Sequence, residues 1–224
     1  MQNKLKKIFG KIKREGLINA IQNYVDKEAT LKKELKIIRD YHLINEEERK
    51  QQKEFKFECE EKISIITPLY NTPKNFLVQL IDSVEKQTYS NWELCLADGS
   101  DLDHEYVREI CMKYMGADNR IIYKKLEENE GIVGNTNKAI QMATGTYLGL
   151  LDHDDMLAAD ALFEVAKTVN DENADVIYTN EDKITMSGEK HFQPNFKPEF
   201  NLDMLRSNNY ICHFFIAKAS LMKE

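Results

Sequence analysis

Residues 147–157 read YLGLLDHDDML, an apolar run followed by three carboxylates within four positions. A short apolar run of this kind is typical of a buried strand in a parallel sheet. Asp152, Asp154 and Asp155 then crowd negative charge at the strand end, where like charges repel unless a cation neutralises them. Carboxylate oxygens suit Mg²⁺ or Mn²⁺, which proteins commonly share with substrate phosphates. The stretch therefore predicts a strand that delivers a divalent metal to a phosphate-bearing ligand.

A structural role for these carboxylates is the alternative. Asp155 or Asp160 could cap the helix that follows, because an aspartate oxygen accepts hydrogen bonds from the first helical N–H groups. That role accounts for one carboxylate and leaves the other two unexplained.

From Lys62 onward, short apolar runs alternate with amphipathic stretches. The predicted strands are ISIIT, WELCLA, RIIYKKL, YLGLL and DVIYT, and the predicted helices are NFLVQLIDSVEKQ, DHEYVREICMKYM, NTNKAIQMA and ALFEVAKTVN. Such alternation indicates an α/β fold with a mostly parallel sheet flanked by helices. Ligands of these sheets bind beyond the carboxyl ends of the strands, so we expect the segments after the first, second and fourth strands to meet at one rim.

Two further features lie at this predicted rim. Asp98 ends the second strand, where its carboxylate could accept a hydrogen bond from the imide N–H of uracil or thymine; the alternative is a turn-forming Asp-Gly. Gly131 and Gly134 stand at the entry to a helix, a place where the backbone can approach phosphate closely.

Residues 1–60 differ from the rest of the chain and predict a helical extension preceding the main domain at 61–224. In residues 1–16, apolar side chains recur at helical spacing and six basic residues precede the first acidic one. This pattern fits a helix on an anionic membrane surface, or a helix that packs on the main domain or a partner. The charged stretch 45–61 predicts a linker, with a short edge strand formed by its tail.

The bulk composition narrows the function classes. The net charge of −7 argues against nucleic acid as the main partner. Four cysteines without metal-type spacing predict reduced thiols. With neither a signal-peptide pattern nor an apolar run long enough for a span, the sequence predicts a cytoplasmic protein, with an optional peripheral place at the inner face of the plasma membrane.

Four spaced motifs resemble those of family-2 glycosyltransferases of the GT-A fold: ISIITPLYNTP, WELCLADGS, ENEGIVGNTNKAIQMATGTYLGLLDHDD and YTNEDKI. The likeness runs from about Lys62 to the end of the chain and extends to a bacterial subgroup that builds surface polysaccharides such as rhamnan and O-antigen. It implies a metal-dependent, inverting transfer of sugar from a UDP- or dTDP-sugar to a saccharide or lipid-linked acceptor.

The resemblance also implies roles for single residues. Thr67, Pro68 and Tyr70 would line the base and ribose pocket, and Asp98 would bind the pyrimidine. Gly131 and Asn135, with Asn129, would lie near the sugar diphosphate. Asp152 and Asp154 would form the D-x-D motif, with Asp154 on the Mg²⁺ or Mn²⁺ and Asp152 on the ribose or the metal. The residues that carry these implied roles are Thr67, Pro68, Tyr70, Asp98, Asn129, Gly131, Asn135, Asp152 and Asp154.

An inverting transferase needs a general base beside the acceptor hydroxyl. The resemblance implies an acidic motif for it that lies past the end of this chain, so the GT-A domain is expected to be incomplete at its C-terminus. Glu181 and Asp182 are the substitutes within reach, or else they form the turn before a hairpin around Ser187-Gly188. His213 and Asn209 could shape the acceptor pocket or serve the core.

Two other functions compete with sugar transfer. A chain without its base could be a non-catalytic binder of nucleotide-sugars. A sugar-phosphate nucleotidyltransferase has a related sheet, but it calls for a glycine-rich loop with arginine after the first strand, and TPLYNTP contains neither residue. The pattern does not specify the sugar, the acceptor, the linkage or the oligomeric state.

Overall fold

The computed structural model describes residues 44–223 and, before them, the helical positions 25, 26, 29, 30, 32, 33 and 36. The basic segment 1–16 lies outside the described residues, and its helix stays a prediction. The described residues belong to two compact units. The larger comprises 44–181 and 195–223, and the smaller includes the hairpin residues 182–194.

Strands and helices alternate along residues 63–178, as the sequence predicts. The strands are β1 (Ile63–Leu69), β2 (Trp92–Asp98), β3 (Ile121–Lys125), β4 (Tyr147–Leu150), β5 (Val176–Tyr178), β6 (Glu181–Ile184), β7 (His191–Asn195) and β8 (Phe215–Lys218). The helices are α1 (Glu46–Glu54), α2 (Lys74–Glu85), α3 (Tyr106–Ala117), α4 (Gly131–Met142), α5 (Ala161–Glu172), α6 (Leu202–Ser207) and α7 (Ala219–Met222). None of the helices in the described ranges combines the length and the hydrophobicity of a membrane span.

Six strands form the main sheet in the order β3-β2-β1-β4-β8-β5. β1 to β4 are mutually parallel, with Ile63 opposite both Trp92 and Tyr147. β8 runs antiparallel to its two neighbours, so β5 again points the same way as β4. The predicted mostly parallel sheet is therefore confirmed, with one reversed strand inside it.

Two apolar cores cover the two faces of this sheet. Residues alternate between them along β1: Ile63, Ile65 and Leu69 pack with α2, α3 and α5, whereas Ile66 packs with α4 and α7. Each fully buried Ile or Leu of these strands stabilises the fold by about 1.5–3 kcal/mol relative to exposure. Burial on both faces explains why the strands read as continuous apolar runs.

The charged stretch 45–61 is not the predicted linker, because it begins with helix α1. Asn45 accepts a hydrogen bond from the N–H of Glu48, whose carboxylate accepts one from the N–H of Asn45, which is a complete capping box. The predicted edge strand after it is also wrong. Phe55 and Phe57 instead lie in irregular backbone, and both rings pack against Phe163 of α5 at 5.6 and 5.2 Å between centroids.

A buried carboxylate lies at the edge of the sheet where β1, β2 and β4 begin. Glu93 is 2% exposed; it accepts hydrogen bonds from Ser64 Oγ and the Thr144 N–H at 2.6 Å each, and Lys62 Nζ lies 2.5 Å from its Oε2. Burial alone would raise the pKa of Glu93, but the bonds from Lys62, Ser64 and Thr144 outweigh burial and lower it to about 2. An ionised carboxylate on β2 thus binds both β1 and the segment that precedes β4.

The described part of the smaller unit includes a hairpin formed by β6 and β7. Its tip contains Gly188 in the left-handed region (φ 73°), whose N–H donates to the carbonyl of Thr185 at 2.7 Å. The Ser187-Gly188 turn predicted from sequence is present. Asp182 lies in this hairpin, with Oδ2 3.0 Å from Nδ1 of His191.

Candidate functional site

The parallel strands β1 to β4 end at one edge of the sheet, here called the rim. Their last residues are followed by polar loops at Tyr70–Thr72, Gly99–Asp101, Leu126–Asn129 and Asp152–Asp155. Since the strands are in parallel register, these loops converge as the sequence predicts.

The loops after β1 and β2 are tied together by two side chains. Asn71 adopts a left-handed backbone (φ 51°), and its Nδ2 donates to Oδ2 of Asp101 at 2.8 Å. The N–H of Asp101 donates to Oδ1 of Asn71 at 3.0 Å, and the hydroxyl of Tyr70 donates to Oδ2 of Asp101 at 3.2 Å. The bond from Asn71 is the main reason that the pKa of Asp101 is lowered. Tyr70, predicted for the base and ribose pocket, is exposed at this place.

Thr67 and Pro68, the other predicted pocket residues, lie lower on β1. Thr67 is fully buried, and its hydroxyl has no hydrogen-bond partner among the described residues. Pro68 is partly exposed. Their contact with a nucleotide stays a prediction.

The carboxylate of Asp98, predicted to bind a pyrimidine base, is almost completely buried. Its Oδ1 accepts from the N–H of Ser100 at 2.8 Å, and its Oδ2 accepts from the Tyr123 hydroxyl at 2.7 Å with Lys125 Nζ at 3.4 Å. The side chain is 1% exposed. A nucleobase could therefore reach this carboxylate only if Tyr123 or Lys125 moved, and the pyrimidine assignment stays a prediction.

A cavity of about 510 Å³ opens beside Asp98, between the loops after β2 and β3. It is lined by Gly99, Ser100, Asp101, Leu102, Asp103, Lys125, Leu126, Glu127, Glu128 and Asn129. Lys125 also donates from Nζ to the carbonyl of Ser100, so a partly exposed ammonium forms part of the wall. The cavity offers both donors and acceptors to a polar ligand.

The start of α4 is held against the β2 loop by a pair of asparagines. Oδ1 of Asn129 accepts from the N–H of Gly131 at 3.0 Å and from Nδ2 of Asn135 at 2.9 Å. Gly99 allows this packing, because a Cβ at position 99 would meet Asn135 Nδ2 at 2.7 Å. Asn135 is buried and shapes the loop, while Gly131 is exposed at the helix N-terminus. N–H groups at such an end favour phosphate.

The acidic loop after β4 faces the residue that precedes β8. Because β4 and β8 are antiparallel, with Leu150 opposite Phe215, the end of one strand adjoins the start of the other. Nδ1 of His213 lies 3.7 Å from Oδ2 of Asp152 and 3.8 Å from Oδ2 of Asp155. One ligand atom from each of the three residues falls within 4.8 Å of the others.

Gly149 makes room for this arrangement. The ring of Phe214 lies directly over it, and a Cβ at position 149 would meet the ring at 2.3 Å. Phe214 follows His213 and is buried in the core. The buried ring thus attaches the backbone that carries His213 to the core.

The three grouped side chains fit a divalent metal ion. Each is about half-exposed, and the set offers one imidazole and two carboxylates, the ligand type that Mg²⁺ and Mn²⁺ favour. Burial raises the pKa of Asp155, and the carboxylates of Asp154 and Asp152 raise it further, against the opposing effect of His213. A bound cation would relieve this repulsion.

Asp154, predicted as the metal ligand, is exposed and does not belong to this group of three. Asn209, predicted for the acceptor pocket, donates from Nδ2 to Sγ of Cys212 at 3.0 Å. Both assignments stay predictions. The side chain of His153 contacts the loop after β1, with its Nδ1 2.9 Å from the hydroxyl of Thr72.

Both carboxylate oxygens of Glu181 are bound by neighbouring residues. Its Oε2 accepts from the N–H of His213 at 2.6 Å and lies 3.2 Å from Lys197 Nζ, and its Oε1 accepts from Nδ2 of Asn195 at 2.8 Å. Burial would raise the pKa of Glu181, but these bonds outweigh burial and lower it. A carboxylate with three donors and a lowered pKa is a poor general base.

Sequence reasoning missed Lys125 and the place of His213; it named Asp155 among the three clustered carboxylates but assigned the metal to Asp154 and Asp152. Ligand-binding residues were expected only after the first, second and fourth predicted strands. The same expectation for the end of the third strand would have identified Lys125. His213 precedes a strand instead of following one, and it reaches the rim only because β8 is reversed. A second cavity, of about 550 Å³, lies at the opposite edge near Glu61, Thr146 and Lys218, and no predicted site residue lines it.

Comparison with known proteins identifies the family. The model of glycosyl transferase family 2 matches residues 64–224, which is most of the chain. The chain belongs to glycosyl transferase family 2. The resemblance inferred from the four motifs is thereby confirmed.

Several known proteins are similar to parts of this chain. An uncharacterized protein y4gI of Sinorhizobium fredii is 41% identical over 72% of this chain, and glycosyltransferase GlyG of Streptococcus pneumoniae is 34% identical over 54%. O-antigen biosynthesis protein RfbC of Myxococcus xanthus is 28% identical over 72% of this chain. The chain spans 18%, 39% and 13% of the lengths of these three relatives.

Solved structures support the family-2 fold. S. aureus TarS 1–349 in complex with UDP superimposes with a TM-score of 0.59 at 24% identity, covering 72% of this chain and 48% of that chain. The complex of the same TarS fragment with UDP-GlcNAc gives the same TM-score at 23% identity, with 72% and 46% covered. The predicted GT-A fold is confirmed.

Proposed function

We propose that this chain is the donor-binding part of a metal-dependent, inverting glycosyltransferase. It would take a UDP- or dTDP-sugar and transfer the sugar to a saccharide or lipid-linked acceptor during synthesis of a cell-surface polysaccharide. The observation that carries the proposal is the grouping of Asp152, Asp155 and His213 at a rim that also holds a polar cavity, in a chain of family 2. The name of RfbC and the nucleotide complexes of TarS support the substrate class.

In this proposal the donor lies along the rim. The cavity beside Asp98 and Lys125 would hold the nucleoside, and the exposed start of α4 at Gly131 would face the diphosphate. Asp152, with Asp155, His213 or Asp154, would hold Mg²⁺ or Mn²⁺. When bound, such an ion stabilises the negative charge that develops on the departing nucleotide diphosphate.

The acceptor hydroxyl must lose its proton as it attacks the anomeric carbon. Of the two candidates from sequence, we do not propose Glu181, because its oxygens take three hydrogen bonds from neighbours. Asp182 pairs with His191 within the hairpin, and we do not assign it the role either.

Calorimetric titration with UDP and with dTDP tests the proposal. We expect UDP or dTDP to bind in the presence of Mn²⁺ and to lose most of that affinity in EDTA, because the ion links the diphosphate to the carboxylates. GDP serves as the mismatched control. Absence of binding by both pyrimidine nucleotides would refute the proposed donor site, and binding without turnover of any UDP- or dTDP-sugar would favour a non-catalytic binder.

Residues 1–60 are proposed as a helical extension whose first 16 residues bind anionic membranes. Reversal of charge at the basic positions is expected to lower association with phosphatidylglycerol vesicles, because each basic residue near such a surface contributes about 1 kcal/mol. The positions to change are Lys4, Lys6, Lys7, Lys11, Lys13 and Arg14. Co-sedimentation measures the effect, and equal sedimentation of both chains, or none by the original, would contradict the anchor.

A further inference from the structure

A buried ammonium lies behind the rim. The side chain of Lys197 is 1% exposed, and its Nζ lies 3.2 Å from Oε2 of Glu181. The same Nζ donates to the carbonyl of His213 at 2.6 Å and reaches that of Ile211 at 3.4 Å. Burial of a Lys ammonium costs free energy unless the group is paired and hydrogen-bonded. The three contacts meet this condition, which indicates a role for Lys197 inside the fold and not as a surface charge.

The carboxylate that pairs with this ammonium binds the other backbone polar group of the same residue, His213. Oε2 of Glu181 accepts the N–H of His213 at 2.6 Å, while Asn195 donates to Oε1 at 2.8 Å. One ion pair therefore fixes both backbone polar groups of His213, its N–H through Glu181 and its carbonyl through Lys197.

Adjacent residues reinforce the same connection. Oδ1 of Asn180 accepts the N–H of Lys197 at 2.8 Å, and the hydroxyl of Thr179 accepts the N–H of Phe214 at 3.1 Å. Three successive residues of the motif YTNED thus bind Lys197 or the His213-Phe214 pair. The motif therefore holds the backbone at the point where the imidazole of His213 approaches Asp152 and Asp155.

We propose that Lys197 and Glu181 form a positioning pair that fixes His213 against Asp152 and Asp155 and thereby sets the affinity of this group for a divalent cation. The inference rests on the proposed function for the use made of the cation, but the placement of His213 stands on the contacts alone. Lys197 and Glu181 touch neither the cation nor the substrate in this scheme.

Binding of Mn²⁺ alone, followed by the electron paramagnetic resonance signal of the free ion, tests the pair. Lys197→Met removes the ammonium at similar length and is expected to weaken Mn²⁺ binding by about 10–100-fold, the usual range for loss of an outer partner of a metal ligand. Glu181→Gln keeps the shape without the charge and should act in the same direction. Lys218→Met is the matched control, because its ion pair with Asp175 at 2.7 Å is at the other edge of the sheet.

Hydrogen exchange of the His213 backbone amide gives a second readout that needs no metal. Its exchange is expected to accelerate in Lys197→Met and Glu181→Gln but not in Lys218→Met. Folded variants with the Mn²⁺ affinity and the amide protection of the original chain would overturn the inference. If Lys197→Met fails to fold, Glu181→Gln decides alone.

The two readouts also separate this inference from the proposed function. If the original chain binds no Mn²⁺, the metal-dependent function and the cation-affinity part of the inference both fail. In that case faster amide exchange in the variants would still establish the positioning of His213, and unchanged exchange would refute it.

Discussion

Asp152→Asn is expected to remove the Mn²⁺-dependent part of UDP binding, with a loss of affinity of at least roughly 100-fold, the upper range for loss of even an outer partner of a metal ligand. Asp152 belongs both to the group of three side chains in the structure and to the D-x-D motif that the family resemblance implies. Asparagine keeps the size of the side chain but gives up the charge that attracts the cation. Titration calorimetry with UDP, in Mn²⁺ and in EDTA, measures the difference.

Asp171→Asn is the matched control, because Asp171 is an exposed carboxylate in the last turn of α5. Equal binding by the Asp152 variant and this control would contradict a metal site at the rim. The same titration on Asp154→Asn and Asp155→Asn decides which of these carboxylates joins Asp152. A greater loss for Asp155 assigns the ligand set grouped in the structure, and a greater loss for Asp154 assigns the D-x-D pair.

Glu93→Gln is expected to lower the free energy of unfolding by about 3 kcal/mol above pH 5. This is the lower end of the range for breaking a buried ion pair, since Lys62 is partly exposed. The glutamine amide would also place a donor among donors from Ser64, Thr144 and Lys62. Urea denaturation monitored by circular dichroism at several pH values provides the measurement.

The pH dependence of this difference follows from the pKa of Glu93. The pKa is lowered from 4.5 to about 2 on folding, so the stabilisation is fully present above pH 4.5 and is lost as the pH falls towards 2. We expect the original chain and the Gln variant to converge in stability across that window. Glu109→Gln, at an exposed carboxylate of α3, is the control, and a difference independent of pH would show that Glu93 is not stabilised as the anion.

The sequence was sufficient to predict the parallel part of the sheet. Apolar runs such as ISIIT and WELCLA are buried on both faces, so their composition reflects their environment directly. Helix α1 was missed because its residues are nearly all charged, and its order comes from the Asn45 capping box and from contacts such as Thr88 Oγ1 to Gln52 Oε1 at 2.7 Å. Contacts between distant residues leave no periodicity in the sequence.

Site residues were predictable from the sequence only where they directly follow the apolar run of a strand. Asp152 follows an apolar run and was found for that reason. His213 was not joined to it, because the run CHFFIAK gives no sign of the direction in which β8 runs. Asp98 was identified, but its burial depends on Tyr123 and Lys125 from the neighbouring strand, and the identity of a residue does not show which neighbours cover it.

The position of β8 affects the order in which the protein can acquire its site during synthesis. β1 to β4 neighbour one another in the sheet, whereas β5 lies at the edge beside β8, which is made later. A nascent chain that has emerged only as far as β5 therefore exposes an unpaired strand and an acidic loop without its imidazole. Pairings between distant segments form slowly, and exposed strand edges invite aggregation. Insertion of β8 would end both conditions in one step, so chaperone dependence should be greatest just before Phe215–Lys218 leaves the ribosome.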